Sequence, residues 1–421
     1  MARSIANGAS GDARRLPRIA FLVTLLALTA AASGLAVPTV AAQETPVDVT
    51  SPAPTPDIEI AGIREIELEF EPITLSPDGA WIAGLEDRSS ICLFSLVDEE
   101  SRCQAVPLDG SILAESITWS PDSSAIAFSL DALPTLRNSD IFVLDVAGAD
   151  LVDLTPDPAN SGTPEGTAPP AVGGSHVMRP DDARGDEAFW MDLFPAWSPD
   201  GTELIFARHS VPDGLLQIMR MPRTGDEVEA IVDLASNEVS FILGPILWLE
   251  DDAIIFSGAG SHGGIRETSL ATGNTRMILS AEDPDVPDAV AVSVSADREW
   301  LSVYSNRNVQ RGNVEAFFAL VERETGEILI FTFAEGPDQF VTVVPRFGPE
   351  GRYIATTMTG NPQSVLIWDI ATGRSPAGVS LPGDGPDLDL LLVGLSWAAN
   401  DTILVPGPDA SAHIVEIQLG P

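Results

Sequence analysis

Apolar and polar residues alternate in short runs along most of this chain, and tight turns punctuate the runs. Residues 194–208, FPAWSPDGTELIFAR, show the unit: two apolar segments flank Ser-Pro-Asp-Gly, with Trp197 just before the turn. Proline presets φ at the second position of such a turn, aspartate hydrogen-bonds its own local backbone, and glycine accepts positive φ. The β-branched and aromatic residues on either side predict two strands joined as a hairpin.

The unit recurs. Leu75-Ser76-Pro77-Asp78-Gly79 and Trp119-Ser120-Pro121-Asp122 are spelled almost as fully. Degraded versions stand at residues 248–251, 294–297, 347–351 and 397–401, which makes seven copies. A third strand is expected after each hairpin, as at 141–146 or 365–370. A fourth follows in several repeats, as at 228–234 or 328–333. The turn acids recur roughly every 45 residues, a spacing that with four strands predicts a β-propeller. The expected fold is therefore all-β: a seven-bladed β-propeller of four-stranded antiparallel blades. The final repeat lacks an outer strand, and residues 58–68 alternate like one. That N-terminal strand is expected to pair in the last blade and close the ring, since an open propeller leaves exposed edges. One interval, from Asp122 to Asp200, is much longer than the rest. The excess, residues 156–188, is rich in proline, glycine and aspartate and is read as a loop insertion between blades 2 and 3.

Phe194-Pro195-Ala196-Trp197-Ser198-Pro199-Asp200-Gly201 and Ile117-Thr118-Trp119-Ser120-Pro121-Asp122 resemble the WD40-like repeats of TolB-type propellers. Propeller domains of prolyl-oligopeptidase-like peptidases carry the same repeats. The resemblance extends over about residues 70–419 and implies the propeller fold. Neither the α/β domain of TolB-type proteins nor the hydrolase domain of the peptidases is expected here, so no catalytic residue is carried over.

The N-terminus changes the picture of where the protein works. Arg14, Arg15 and Arg18 precede an apolar run over 19–37, and Val40-Ala41-Ala42 offers a small-x-small cleavage pattern. Residues 1–42 are read as a signal peptide or an uncleaved anchor, and 43–57, rich in proline and threonine, as a linker to the body at 58–421. The expected location is extracytoplasmic: secreted, periplasmic or at the cell surface. Membrane contact would come only through that N-terminal anchor. The two cysteines, Cys92 and Cys103, sit symmetrically about a polar turn. In an oxidising compartment they are expected to form a disulfide as a facing pair.

Charge excludes one class of partner. The chain has 62 acidic residues against 22 basic ones, all of them arginine, for a net charge of −40. Nucleic acid requires a basic footprint and is ruled out. A monomer with a protein or peptide partner and no cofactor is expected.

Propeller strands alternate direction, so loops alternate faces. The Ser-Pro-Asp turns fall on one face, and the site is expected on the other. That second face would gather His176, His209 and His262, with His413 at its edge. Arg137, Arg179, Arg184, Arg208, Arg307 and Arg311 would join them. The candidate binding set is His176, Arg179, His209, His262, Arg307 and Arg311. The plain alternative is that polar loops collect such residues anyway. The histidines could also hold a metal, but their spacing fixes no coordination geometry. Asp181, Asp182, Asp186 and Glu187 read as a solvated acidic loop, and Ala259-Gly260-Ser261-His262-Gly263 as a turn rather than a nucleophile elbow. Trp119, Trp197, Trp248 and Trp397 share one repeat position and are expected to pack between blades. The functional expectation is an exported non-catalytic scaffold that binds a protein, peptide or envelope component through one loop face. The alternative is a propeller enzyme of hydrolase or lactonase type, with a polar or metal site at the channel mouth.

Overall fold

The computed structural model describes residues 13–15, 58–107, 110–131, 139–148, 150–156, 190–210, 215–234, 239, 241–250, 252–260, 262–305, 317–332, 340–359, 363–370, 377–381 and 394–419. Among these residues there is no α-helix, and the one helical element is a 3-10 turn at Ala114–Ser116. Among the described residues no helix is long and apolar enough to cross a membrane.

Each Ser-Pro-Asp turn is built by its own side chains. Ser76 Oγ donates to Asp78 Oδ1 at 2.6 Å while accepting the Trp81 N–H at 2.9 Å. Ser120, Asp122 and Ala125 repeat this pattern at 2.6 and 2.9 Å, and Ser198, Asp200 and Glu203 at 2.7 and 3.0 Å. The spelling of the repeat is therefore local hydrogen-bond chemistry that folds the first strand back onto the second.

The strands form six sheets, which corrects the expectation of seven separate four-stranded blades. Five sheets have four or five strands, and the sixth has nine. The nine-stranded sheet runs from Ser111–Ile112 to Glu229–Leu234 and contains what the repeats present as two units. Its halves join because Trp190–Trp197 begins alongside Ser139–Asp145, with a parallel pairing of Ser139 to Met191. Ser139 Oγ seals the junction by donating to the Asp192 carbonyl at 2.8 Å. Such a contact between distant segments leaves no mark on a local repeat. The residues assigned to the insertion lie outside the described residues, apart from Pro156.

Ile58–Glu67 pairs antiparallel with Ser411–Leu419, from Ile58 opposite Leu419 to Glu67 opposite Ser411. The strand before the first repeat and the last strand thus share one sheet. Ala13–Arg15 adds an edge strand beside Ile328–Thr332, and the rest of residues 1–57 lies outside the described residues. Cys92 and Cys103 face each other across Ser90–Ser95 and Ser101–Ala105 and are joined in a disulfide, with Cα atoms 4.0 Å apart.

Apolar side chains pack between neighbouring sheets rather than within one. Phe70, Leu75, Ile82 and Phe94 of the first sheet meet Ala398, Leu404 and Ile414 of the last. Phe318 and Phe331 meet Trp368 of the next sheet edge to face, at 5.2 and 6.3 Å between ring centroids. Sheets packed face to face around a ring leave their first strands lining the axis.

Candidate functional site

The axis holds a cavity of about 670 Å³. Its wall comes from the first strands of all six sheets: Ile73–Leu75, Ala114–Trp119, Phe194-Pro195, Phe241–Leu247, Val292, Arg346-Phe347 and Leu395–Trp397. Pro77, Pro349 and Ala399 from the turns also border it. The cavity therefore reaches the turn face, where the sequence reading expected only fold-specifying residues.

The first strands are irregular at the wall. Register shifts interrupt them between Pro72 and Thr74, Leu193 and Ala196, Ala291 and Ser293, and Thr342 and Arg346. Phe194 takes a positive φ of 53° although it is not glycine. That is a conformation which surrounding structure must impose, and such residues concentrate at functional sites. Here the Phe194 N–H is tied to Ser129 Oγ of the preceding strands at 3.1 Å. Equivalent ties hold Ala291 N–H to Ser257 Oγ at 2.9 Å, Phe347 N–H to Ser293 Oγ at 3.2 Å and Leu75 N–H to Ser396 Oγ at 3.1 Å. Small hydroxyls satisfy backbone donors that have no further strand to pair with.

Most of the wall is apolar, and three titratable groups interrupt it: Glu115, Tyr304 and Arg346. Tyr304 is buried, and burial pushes its phenol up to about 12, with the charge of Glu115 adding to the rise and that of Arg346 opposing it. It is a neutral hydroxyl at physiological pH. Burial also pulls the Arg346 guanidinium down to about 10, against the influence of Tyr304. It remains a cation at neutral pH. Arg346 keeps part of its surface open to the cavity, and its Nη1 donates to the Val292 carbonyl across the sheet junction. Trp119 and Trp397 also line the space, and their indole N–H groups have no acceptor among the described residues.

Arg346 differs from most of the described arginines. Arg64, Arg208, Arg220, Arg223, Arg276, Arg298, Arg323 and Arg352 each face a carboxylate within 4 Å. Arg346 has none among the described residues, and Tyr304 is the group it couples to. Sequence reasoning missed it, although a signal was present. Aligned on the turns, its position holds Thr74, Thr118, Ala196, Leu247, Ser293 and Ser396 in the other repeats, so Arg346 is the single charge in that column.

Of the sequence-predicted binding residues, His209 and His262 are described, and neither lines this cavity. His176, Arg179, Arg307 and Arg311, along with Arg137 and Arg184, lie outside the described residues, as does the acidic cluster from Asp181 to Glu187. His209 ends the strand Glu203–Ser210, partly buried, with its ring edge-on to Phe241 at 6.2 Å. Phe241 is a residue of the cavity wall, and burial holds the His209 imidazole below its ordinary range. His262 is exposed, in a turn closed by Gly263 N–H to the Gly260 carbonyl, and its own carbonyl accepts from Arg266 at 2.8 Å. His413 is buried in the last strand. Arg208 is committed to Asp192 by two bonds of 2.8 and 2.7 Å, a buried bidentate pair. The one group of three potential metal ligands among the described residues is Glu86, Cys92 and Cys103, and its cysteines are already bonded to each other.

No protein-family model matches the sequence, and no curated protein does. Solved structures are similar to it. TolB from Acinetobacter baumannii shares 16% identity over 75% of this chain and 64% of TolB, with a TM-score of 0.44. The chain thus spans under two-thirds of that protein's length. An oligogalacturonate lyase in complex with manganese shares 12% identity over 84% of this chain and 98% of the lyase, with a TM-score of 0.51. The oligogalacturonate lyase from Vibrio parahaemolyticus gives 12%, 86%, 98% and 0.51 for the same quantities. At this identity the likeness to the two lyases establishes the fold, an all-β propeller, and no activity.

Proposed function

We propose that the protein is an exported, non-catalytic binding propeller that takes a peptide or a segment of a partner protein into its axial cavity. The carrying observation is the cavity itself. A volume of about 670 Å³, a largely apolar wall and a few convergent polar groups are what ligand sites present. Strain at Phe194 and the serine ties along the wall add support, because they hold its shape before any ligand arrives. Export rests on the arginine-led apolar N-terminus and is in keeping with the Cys92–Cys103 disulfide. Pro77, Pro349 and Ala399 of the turns border the cavity, which supports a binding region on the turn side. An enzyme at the channel mouth would need a nucleophile, a base or a set of metal ligands. The titratable groups of the described wall, one carboxylate, one neutral phenol and one arginine, favour recognition.

Selection from a displayed random-peptide library tests the reading. Peptides captured by the purified protein should lose binding at least tenfold to the cavity-filling variant Ile117→Trp, whose fold is checked by circular dichroism. Equal capture by both proteins would move the site elsewhere. Conversion of a captured peptide to a product of different mass would return the chain to the enzyme reading.

A further inference from the structure

The wall of the axial cavity is unbalanced in its hydrogen-bonding chemistry. On the donor side stand the Arg346 guanidinium and the Tyr304 side chain, while the indole N–H groups of the lining residues Trp119 and Trp397 are buried without an acceptor among the described residues. On the acceptor side, Glu115 is the one carboxylate. A cation taken out of water without a counter-ion is costly, and proteins ordinarily pair it or remove it. This chain has acidic residues in large excess, 62 against 22 arginines, so carboxylates were abundant as partners. Eight other arginines use them, whereas Arg346 has no carboxylate within 4 Å among the described residues and, unlike Arg102, lines the cavity. At its column in the other repeats, a small or apolar residue serves the fold: Ser293 and Ser396 accept a backbone N–H from the next sheet there. A guanidinium is not needed for that tie.

We infer that Arg346 seats a carboxylate carried on an apolar peptide segment, with the cavity's aromatic and proline wall receiving the apolar part. The inference rests on the binding reading above and names the chemistry of the occupant. Arginine suits the task, since its planar fork presents two parallel donors to a carboxylate. The hydroxyl of Tyr304 adds a neutral donor beside it, and Phe347 and Trp397 supply apolar surface next to it in the wall. The net charge of −40 does not prevent this pairing: the Debye length is about 8 Å at physiological ionic strength, so groups at contact decide the energy inside the cavity. The distant charge instead disfavours polyanions, which leaves a single carboxylate on an apolar body as the fitting ligand.

The test uses three forms of one N-acetylated or free tetrapeptide of leucine, proline, leucine and phenylalanine. The first has an acetylated amine and a free carboxylate, the second an acetylated amine and a C-terminal amide, and the third a free amine and a C-terminal amide. Binding is followed by tryptophan fluorescence and checked by calorimetry. The acid should bind about 10- to 100-fold more tightly than the acetylated amide, the range expected for a charge-assisted bidentate contact. The cationic form should bind most weakly. Arg346→Met should abolish the preference for the acid while leaving the amide unchanged, and Arg346→Lys should retain part of it. The ligand-free Arg346→Met protein should melt at or above the wild-type temperature, because an unpaired buried charge is removed. Equal binding of acid and amide to the wild type overturns the inference and leaves the cavity reading intact. So does tighter binding of the cationic form, or no binding of any form while library peptides are still captured. A fall of Tm by 10 °C or more in both Arg346 variants would assign the side chain to the Val292 junction and also overturn the inference. Loss of library capture as well would bring down the cavity reading with it.

Discussion

Ser120 and Asp122 account for the most repeated chemistry in the chain. The Ser120 hydroxyl is buried, accepts the Ala125 N–H and donates to Asp122, which also receives the hydroxyl and N–H of Ser124. These bonds, that from Ser120 foremost, hold the Asp122 carboxyl down at about 2. Asp200 is lowered by the same arrangement with Ser198 and Thr202. A carboxylate with a depressed folded-state pKa contributes stability above its unfolded value, near 3.9, and loses it as pH falls toward 2. Ser120→Ala should therefore cost about 1–3 kcal/mol at pH 6 by leaving the Ala125 N–H unpaired and Asp122 less supported. The gap between wild type and variant in urea unfolding should narrow between pH 4 and 2.5. A gap that stays constant over that range would mean that Ser120 acts through Ala125 alone. These residues were legible because every partner lies within five positions in sequence. Arg346 was harder to see. Its meaning depends on a cavity whose other walls are tens to hundreds of residues away, and only the alignment of repeats marks it as the odd member of its column.

Among elements, the closing strand carries the largest energetic consequence. Ile58–Glu67 aligns with Ser411–Leu419 along its whole length, and its side chains join two apolar clusters. Ile58 and Ile60 pack toward Tyr353, Ile367 and Val415, while Ile66 and Leu68 pack toward Phe70 and Ile414. Arg64 reaches Glu99 of the first sheet, across the junction where the ring meets itself. Deleting residues 1–67 would expose the strand Ser411–Leu419 as an unpaired edge and remove these contacts. The truncated protein should lose most of the about 5–15 kcal/mol that holds a typical domain, with aggregation or no cooperative melt in calorimetry. An unchanged Tm would refute the role of this strand. The pairing could be read from sequence because the alternation of 58–68 and the missing strand of the last repeat point to each other. Separation into equal blades could not. The parallel pairing of Ser139 with Met191 depends on where residues far apart in sequence meet, and no turn motif encodes it. Nor did polarity point to the cavity. The loops attracted notice for their histidines and arginines, whereas the cavity is built from apolar first-strand residues that look like ordinary core.

At the scale of the molecule, the charge of −40 sets two electrostatic effects against each other. Arginines tie neighbouring sheets at several junctions: Arg298 to Glu250, Arg323 to Glu267 at 2.8 Å, and Arg64 to Glu99 at 3.4 Å. Arg223 lies 3.9 Å from both Asp122 and Asp145, between the halves of the nine-stranded sheet. Salt screens these ties, but pairs as exposed as Arg64 with Glu99 contribute at most about 1 kcal/mol each, and the buried pair of Arg323 and Glu267 is screened little. The opposing effect is repulsion among the many acidic groups with no arginine to meet them. It acts over the whole surface and is relieved by the same salt. The excess of 62 acidic over 22 basic residues makes repulsion the larger effect. Raising potassium chloride from 0.05 to 0.5 M should therefore increase Tm by several degrees, and most of the gain should come below 0.2 M, where the Debye length shortens fastest. Sucrose at matched osmolality should not reproduce that early rise. A Tm that falls over the same range would place the inter-sheet arginine ties, rather than acidic repulsion, in control of the ring's stability.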